Sequence, residues 1–321
     1  MSNTRMLRTI TISFLISHSA PYNWGISAEF QGLLSIVINL PRFDRLPEVK
    51  LQELLNHPAV QAGLAPFLAA LVSAGLFRRP RLGGLAIITG FIVMVYLASD
   101  FTFAPLTAAR KIVLLGLVSA SLGLLLTLFK LRRLVSLLPL LGGAAAIWTA
   151  QRILQQHPAH IVLLCGAGCA AYVAILVWGM DSLENDPARA ATAATALGMG
   201  TGGSALVGAS ALLGQFGLAL GSAASAYLLI HIFSNKALYA GRIFTLPLSL
   251  IAGLTGCIAV LSANLPWYAL PVLAAIPMAA LLMPLPRQSI RMQSLLLALP
   301  AFALAGGAIY MTWRTAGDVP F

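Results

Sequence analysis

Between Pro58 and Trp313 the chain is a succession of long apolar runs, and its charges fall almost only in the gaps between them. A soluble domain cannot hide that much apolar surface, whereas a bilayer takes it up at about 20 apolar residues per helical crossing. The chain is therefore expected to be an all-α polytopic membrane protein. Composition agrees: hydrophobic residues make up 59% of the 321 and charged residues 9%, against roughly 25% charged in globular domains.

The runs divide into about ten transmembrane helices, at 58–77, 82–103, 111–129, 134–151, 160–179, 188–211, 213–233, 243–263, 267–284 and 293–313. The gaps are short, and turn residues such as Asn264-Leu265-Pro266 and Pro284-Leu285-Pro286 mark several of them. No gap is long enough for a soluble domain. One transmembrane domain, 56–321, is therefore expected behind an N-terminal extension, 1–55. The extension reads as partly amphipathic or disordered. Arg5 and Arg8 precede a short apolar stretch that only loosely fits a signal peptide. From Phe43 to Leu55, apolar Leu51, Leu54 and Leu55 alternate with Asp44, Glu48, Lys50 and Glu53 in the pattern of an interfacial helix.

A net charge of +11 in a soluble chain would point to nucleic acid. Here it follows from topology, because Lys and Arg are retained in cytoplasmic loops and acids are costly in lipid; no nucleic-acid partner is expected. With the gap after the first span cytoplasmic, eleven cations fall inside: Arg78, Arg79, Arg81, Lys130, Arg132, Arg133, Arg189, Lys236, Arg242, Arg287 and Arg291. Four fall outside: Arg110, Lys111, Arg152 and Arg314. This places the protein in an inner (plasma) membrane with its C-terminus on the non-cytoplasmic side. One cytoplasmic gap is acidic, with Asp181, Glu184 and Asp186, but acids weigh little in the rule.

Ten spans invite a search for halves. Asn56-His57-Pro58-Ala59 opens the first span and Asn185-Asp186-Pro187-Ala188 the sixth, 129 residues later. Tyr96-Leu97 matches Tyr227-Leu228 at an offset of 131, and Arg110 matches Arg242 and Pro139 matches Pro271 at 132. Two five-helix repeats, 56–180 and 185–314, would produce this recurrence. An odd number of spans per repeat inverts one half relative to the other, a plan common among secondary transporters. Leu-, Ala- and Gly-rich sequences also match one another by chance.

Candidate site residues are few. Gly198, Gly200, Gly202 and Gly203 crowd one stretch of the sixth span. Their spacing is not a dinucleotide loop, which needs a preceding strand. Either they let helices approach closely, continuing through Gly214, Gly217 and Gly221, or they unwind the helix to line a binding site. Tyr96/Asp100 and Tyr227/His231 are pairs one helical turn apart at equivalent repeat positions. Each tyrosine can hydrogen-bond the titratable group on its own face, and the pairs are expected either to relay protons near Gly198–Gly203 or to reach interfacial water. Arg110 and Lys111 sit at an outer edge, as an anion lure or as snorkelling side chains. Cys165, Cys169 and Cys257 lie in apolar runs with no metal-ligand spacing. No cofactor is implied, and no catalytic cluster points to an enzyme.

The resulting reading is a multi-pass transporter for an unidentified small solute, with the lipid bilayer as its environment. The alternative is a non-catalytic anchor or scaffold for a membrane-protein partner, and self-association is compatible with either. A topology reporter fused after Phe321 is expected to report the non-cytoplasmic side, and one inserted within Asp181–Asp186 the cytoplasm. A cytoplasmic signal from the C-terminal fusion would overturn the orientation.

Overall fold

A computed structural model describes residues 56–76, 83–99, 105–129, 132–233, 239–263, 265–284 and 290–316. These lie in one compact unit, Gln52–Phe321. The extension 1–55, Asp100 and the loop cations Arg78, Arg79, Arg81, Lys130, Lys236 and Arg287 lie outside the described residues.

The described residues are all-helical. Ten helices stand where the ten apolar runs are read: α1 Val60–Leu76, α2 Leu85–Ala98, α3 Ala108–Phe129, α4 Leu138–Leu154, α5 Ala159–Ser182, α6 Pro187–Gly208, α7 Ala211–Phe233, α8 Gly241–Ser262, α9 Ala269–Leu282 and α10 Ile290–Ala316. A single turn, Arg132–Val135, precedes α4. By length and composition, α3, α5, α7, α8 and α10 can each cross a membrane. At 1.5 Å per residue α2 and α9 rise only about 21 Å, short of the roughly 30 Å hydrocarbon core. Helix α6 has 22 residues but falls outside the apolar set, because it is built from Ala, Gly and Thr. A helix enclosed by protein needs small side chains more than lipophilic ones.

Helices α6, α7 and α8 form the centre. Each carries its own outer elements: α7 packs on α1 and α2, α8 on α3, α4 and α5, and α6 on α9 and α10. Helix α8 is buried almost throughout, whereas α5 and α10 turn most of their apolar surface outward, including Leu163, Leu164, Leu295 and Leu299. This is the arrangement expected where lipid, not water, covers the outside. The five-helix repeat would make α1, α2 and α3 as central as α6, α7 and α8, yet they lie at the periphery. Likewise α6 packs along α10, while the equivalent helices α1 and α5 share no comparable contact among the described residues.

Contacts sort the helix ends into two sets. At one end Arg242 at the start of α8 meets Asp181 and Glu184 after α5, and Arg189 at the start of α6 meets Ala280 and Leu281 of α9. Gly84 before α2 abuts Ala240 and Phe244 at the start of α8. At the other end Gln61 Nε2 at the start of α1 donates to the Leu97 carbonyl of α2 at 3.0 Å. There too Gly208 at the end of α6 lies against Leu265 and Thr312. Successive helices therefore run in alternating directions, and the first end holds Arg189 and Arg242 together with every acid among the described residues. Of the exposed Tyr and Trp side chains among the described residues, six (Tyr96, Trp148, Trp267, Tyr268, Tyr310, Trp313) lie at the second end and only Trp178 at the first. Amphipathic rings collect in this way at a membrane–water boundary.

The α6–α7 seam is the tightest. A Cβ added at Gly198 would collide with the backbone of Gly221, and one at Gly202 with the backbone of Leu218. Neither backbone can yield without moving its helix. Gly202→Ala should therefore lower the stability of the purified protein by about 1–3 kcal/mol, read as a lower thermal midpoint in detergent. Gly168→Ala, where the added methyl meets nothing within 4 Å, should be neutral or gain up to about 1 kcal/mol through helix propensity.

Candidate functional site

The four glycines of α6 divide between two neighbours. Gly198 and Gly202 face α7, while Gly200 and Gly203 face Ala305 and Ile309 of α10, with Leu273 of α9 also against Gly200. Helix α6 runs unbroken from Pro187 to Gly208, so the unwound alternative is absent and the glycines serve close packing. Asp186 caps the helix, its carboxylate accepting from the Arg189 backbone N–H at 3.1 Å, with Pro187 in the first turn. Both are favoured where the first N–H groups lack partners.

The two tyrosines that the repeat equates sit in opposite surroundings. Tyr96, near the end of α2, is 74% exposed and belongs to the aromatic belt. Tyr227 is fully buried, its ring 4.7 Å from that of Phe244. His231, one turn further along α7, is also buried. Neither the Tyr227 hydroxyl nor His231 Nδ1 has a hydrogen-bond partner. His231 does not approach Gly198–Gly203, as a coupling role there would require. Gly221 packs on Gly198, and ten residues further along α7 amount to about 15 Å. His231 is brought instead within electrostatic reach of Asp186, at the start of α6. Asp100 lies outside the described residues.

Lys111 is not a free snorkelling cation. It is 5% exposed, its Nζ donates to the Trp148 carbonyl at 2.7 Å, and it sits 4.7 Å from the centre of the Trp148 ring. Arg110 Nη1 donates to the Pro105 carbonyl at 2.7 Å.

The principal ionic cluster lies where sequence reading saw only an acidic gap. Arg242 spreads its guanidinium over two carboxylates, Nε donating to Asp181 Oδ1 at 2.8 Å and Nη2 to Glu184 Oε1 at 2.6 Å. Gly241 makes this possible. Its left-handed backbone (φ +62°) is natural only for glycine, and its N–H donates to the Glu184 carbonyl at 3.2 Å. Arg189 adds a second clamp, Nη1 donating to the Ala280 and Leu281 carbonyls at 3.0 and 2.6 Å at the end of α9. Those carbonyls close a helix whose last C=O groups lack intrahelical partners. The only sequence signal was three acids in one gap of an acid-poor chain, on the side where Arg242 was placed by charge bias.

Further in, a set of polar side-chain atoms is buried without any hydrogen-bond partner: Tyr172 of α5, Thr192, Thr201 and Ser204 of α6, Tyr227 and His231 of α7, and Thr255 of α8. Cys257 Sγ lies 3.6 Å from the Cys169 carbonyl, and all three cysteines are free. No group of three metal-ligating side chains occurs among the described residues. The sequence matches no protein-family model and no curated protein.

Burial lifts the Glu184 carboxyl above its ordinary range; Arg242 draws it down and Asp181 pushes it up. A carboxyl whose proton is held more tightly in the fold than in the unfolded chain favours the fold as pH falls. Arg242→Gln leaves both carboxylates without their counter-charge and should cost on the order of 3 kcal/mol near neutral pH. The deficit should shrink as the pH is lowered from about 7 to about 5, because protonation relieves the stranded charge. Thermal midpoints of both proteins across that range are the measurement.

Proposed function

We infer that this helical protein, with several helices long and apolar enough to cross a membrane, is a membrane protein. We propose that it is a secondary transporter of an inner membrane, moving a small polar solute between the central helices α6, α7 and α8. One observation carries the reading: Thr192, Thr201, Ser204, Tyr227, His231 and Thr255 keep unpartnered polar atoms on those helices. Such groups are costly in a dry interior, and a passage that admits water or solute satisfies them.

In this reading all ten helices are crossings. The sorting of helix ends into two sets supports that, as does the single aromatic-rich end. Charge bias supports a cytoplasmic end at Arg189 and Arg242 and a C-terminus on the opposite side. The inverted repeat, 56–180 against 185–314, is supported by the recurring offset of 129 to 132. It is also supported by close pairing of α1 with α2 and of α6 with α7, and of α4 with α5 and of α9 with α10. The central place of α6, α7 and α8 argues against it, and transport does not depend on it.

The anchor reading is favoured by a different observation, the dry glycine seam between α6 and α7. Accessibility separates the two without knowledge of the solute. With Cys165, Cys169 and Cys257 replaced, Ser204→Cys and Thr255→Cys should each react with a charged, membrane-impermeant thiol reagent in the folded protein. Reaction only after unfolding in SDS would overturn transport through this interior and favour the anchor.

A further inference from the structure

The two arginine clamps hold helix ends that prolines set apart from the rest of their helices. Arg242 lies in the first turn of α8, and Pro247 follows five residues later. Arg189 holds the Ala280 and Leu281 carbonyls at the end of α9, and Pro277 lies just before them. Neither proline has an N–H for the carbonyl four residues back, Ile243 in α8 and Leu273 in α9, so that helical hydrogen bond cannot form at either site. Prolines are also where helices bend. The terminal turns of α8 and α9 are thus joined to their helices at weakened points, while ion pairs and hydrogen bonds fix them in place.

Helices α6 and α8 both start at this end, the one that charge bias assigns to the cytoplasm. The Glu184 carbonyl accepts from the Gly241 N–H and its carboxylate from Arg242. Glu184 is three residues from Pro187, where α6 begins. The start of α8 is therefore tied to the stretch that leads into α6. Thr201 and Thr255, whose hydroxyls have no partner, lie equally far along their helices, each 14 residues beyond the first, or about 21 Å at 1.5 Å per residue. The first turn of α8 also rests against Gly84, before α2, and Gly123 of α3, which have no side chains to obstruct a movement.

We propose that Arg242 and Arg189 latch a gate at the cytoplasmic mouth of the passage, and that it opens when the terminal turns of α8 and α9 swing about Pro247 and Pro277. The latch suits a contact that is made and broken. Its carboxylates and guanidiniums are partly exposed, so water takes over their hydrogen bonds as the helix ends part. The glycine seam between α6 and α7 has no such substitute, because its contacts are van der Waals alone. The inference rests on the transport reading, since a gate needs a passage behind it.

The test measures, face by face, how fast a charged, membrane-impermeant thiol reagent labels Thr255→Cys in the full-length protein with Cys165, Cys169 and Cys257 replaced. Right-side-out and inside-out membrane vesicles present the two faces. Adding Arg242→Gln should speed labelling from the cytoplasmic face about tenfold, within the usual range of conformational coupling, and leave the opposite face unchanged. Pro247→Ala restores the missing N–H and stiffens the joint, so it should slow labelling from the cytoplasmic face by about the same factor. It decides the matter if Arg242→Gln fails to fold. Labelling that rises equally from both faces in Arg242→Gln would mark a general loosening of the bundle and overturn the gate, as would an unchanged rate in Pro247→Ala. Either outcome leaves the passage standing, because Thr255→Cys still reacts in the folded protein. No reaction of Thr255→Cys from either face would instead remove the passage, and the gate with it.

Discussion

The rest of the fold is built around the contact between the backbones of α6 and α7. In lipid there is no hydrophobic gain from bringing two apolar helices together, so association depends on close van der Waals packing. Gly198 and Gly202 on one helix meet Gly217 and Gly221 on the other with no side chain between them. That proximity allows α8 to join the pair, and the outer helices then attach to one or another of the three. It also explains the composition of the interior. Where helices lie this close, only Ala, Gly, Ser and Thr fit, and α6 consists largely of them.

Electrostatics is sorted by end. Clustered acids on a face assigned to the cytoplasm look like a violation of the charge bias, but they are neutralised locally. Arg242 holds Asp181 and Glu184, and Arg189 holds Asp186 while closing the end of α9. The interactions tie the starts of α6 and α8 to the ends of α5 and α9. They are short and only partly exposed, so they bear on whether these helix ends can separate. The opposite end has cations and aromatic rings among its described residues, and the Lys111–Trp148 contact bridges two helices that otherwise meet little.

The helices were legible because each apolar run sets its own length. The run 188–211 becomes α6 Pro187–Gly208, starting at the Asp186-Pro187 signal that the sequence displays. The glycine cluster was half legible. Its spacing allowed packing or unwinding, and only the facing glycines of α7 decide between them. Tyr96 and Tyr227 show where local pattern runs out. Each is followed by Leu at the end of an apolar run, yet one is exposed and the other buried, because burial is set by the helix's place in the bundle. The Arg242 cluster was not legible at all. Its partners are 58 and 61 residues away, and no periodicity or motif records a pairing at that distance.

Hydroxyl groups in the interior divide into two kinds, and the division bears on function. Thr195, Thr245, Ser249 and Thr312 donate to carbonyls three or four residues back in their own helices. That is the default for a hydroxyl in a dry helical interior, since it needs no neighbour. Thr192, Thr201, Ser204 and Thr255 are equally buried and do not adopt it. With Ser294 of α10, they are the buried Ser and Thr side chains left without a partner among the described residues. Four of the five lie on α6 and α8, where no lipid reaches. A purely structural interior would gain by turning each of them onto its own backbone. Their hydroxyls are left without any partner, a cost in a dry interior, and it is this cost that the proposed passage between α6 and α8 would relieve.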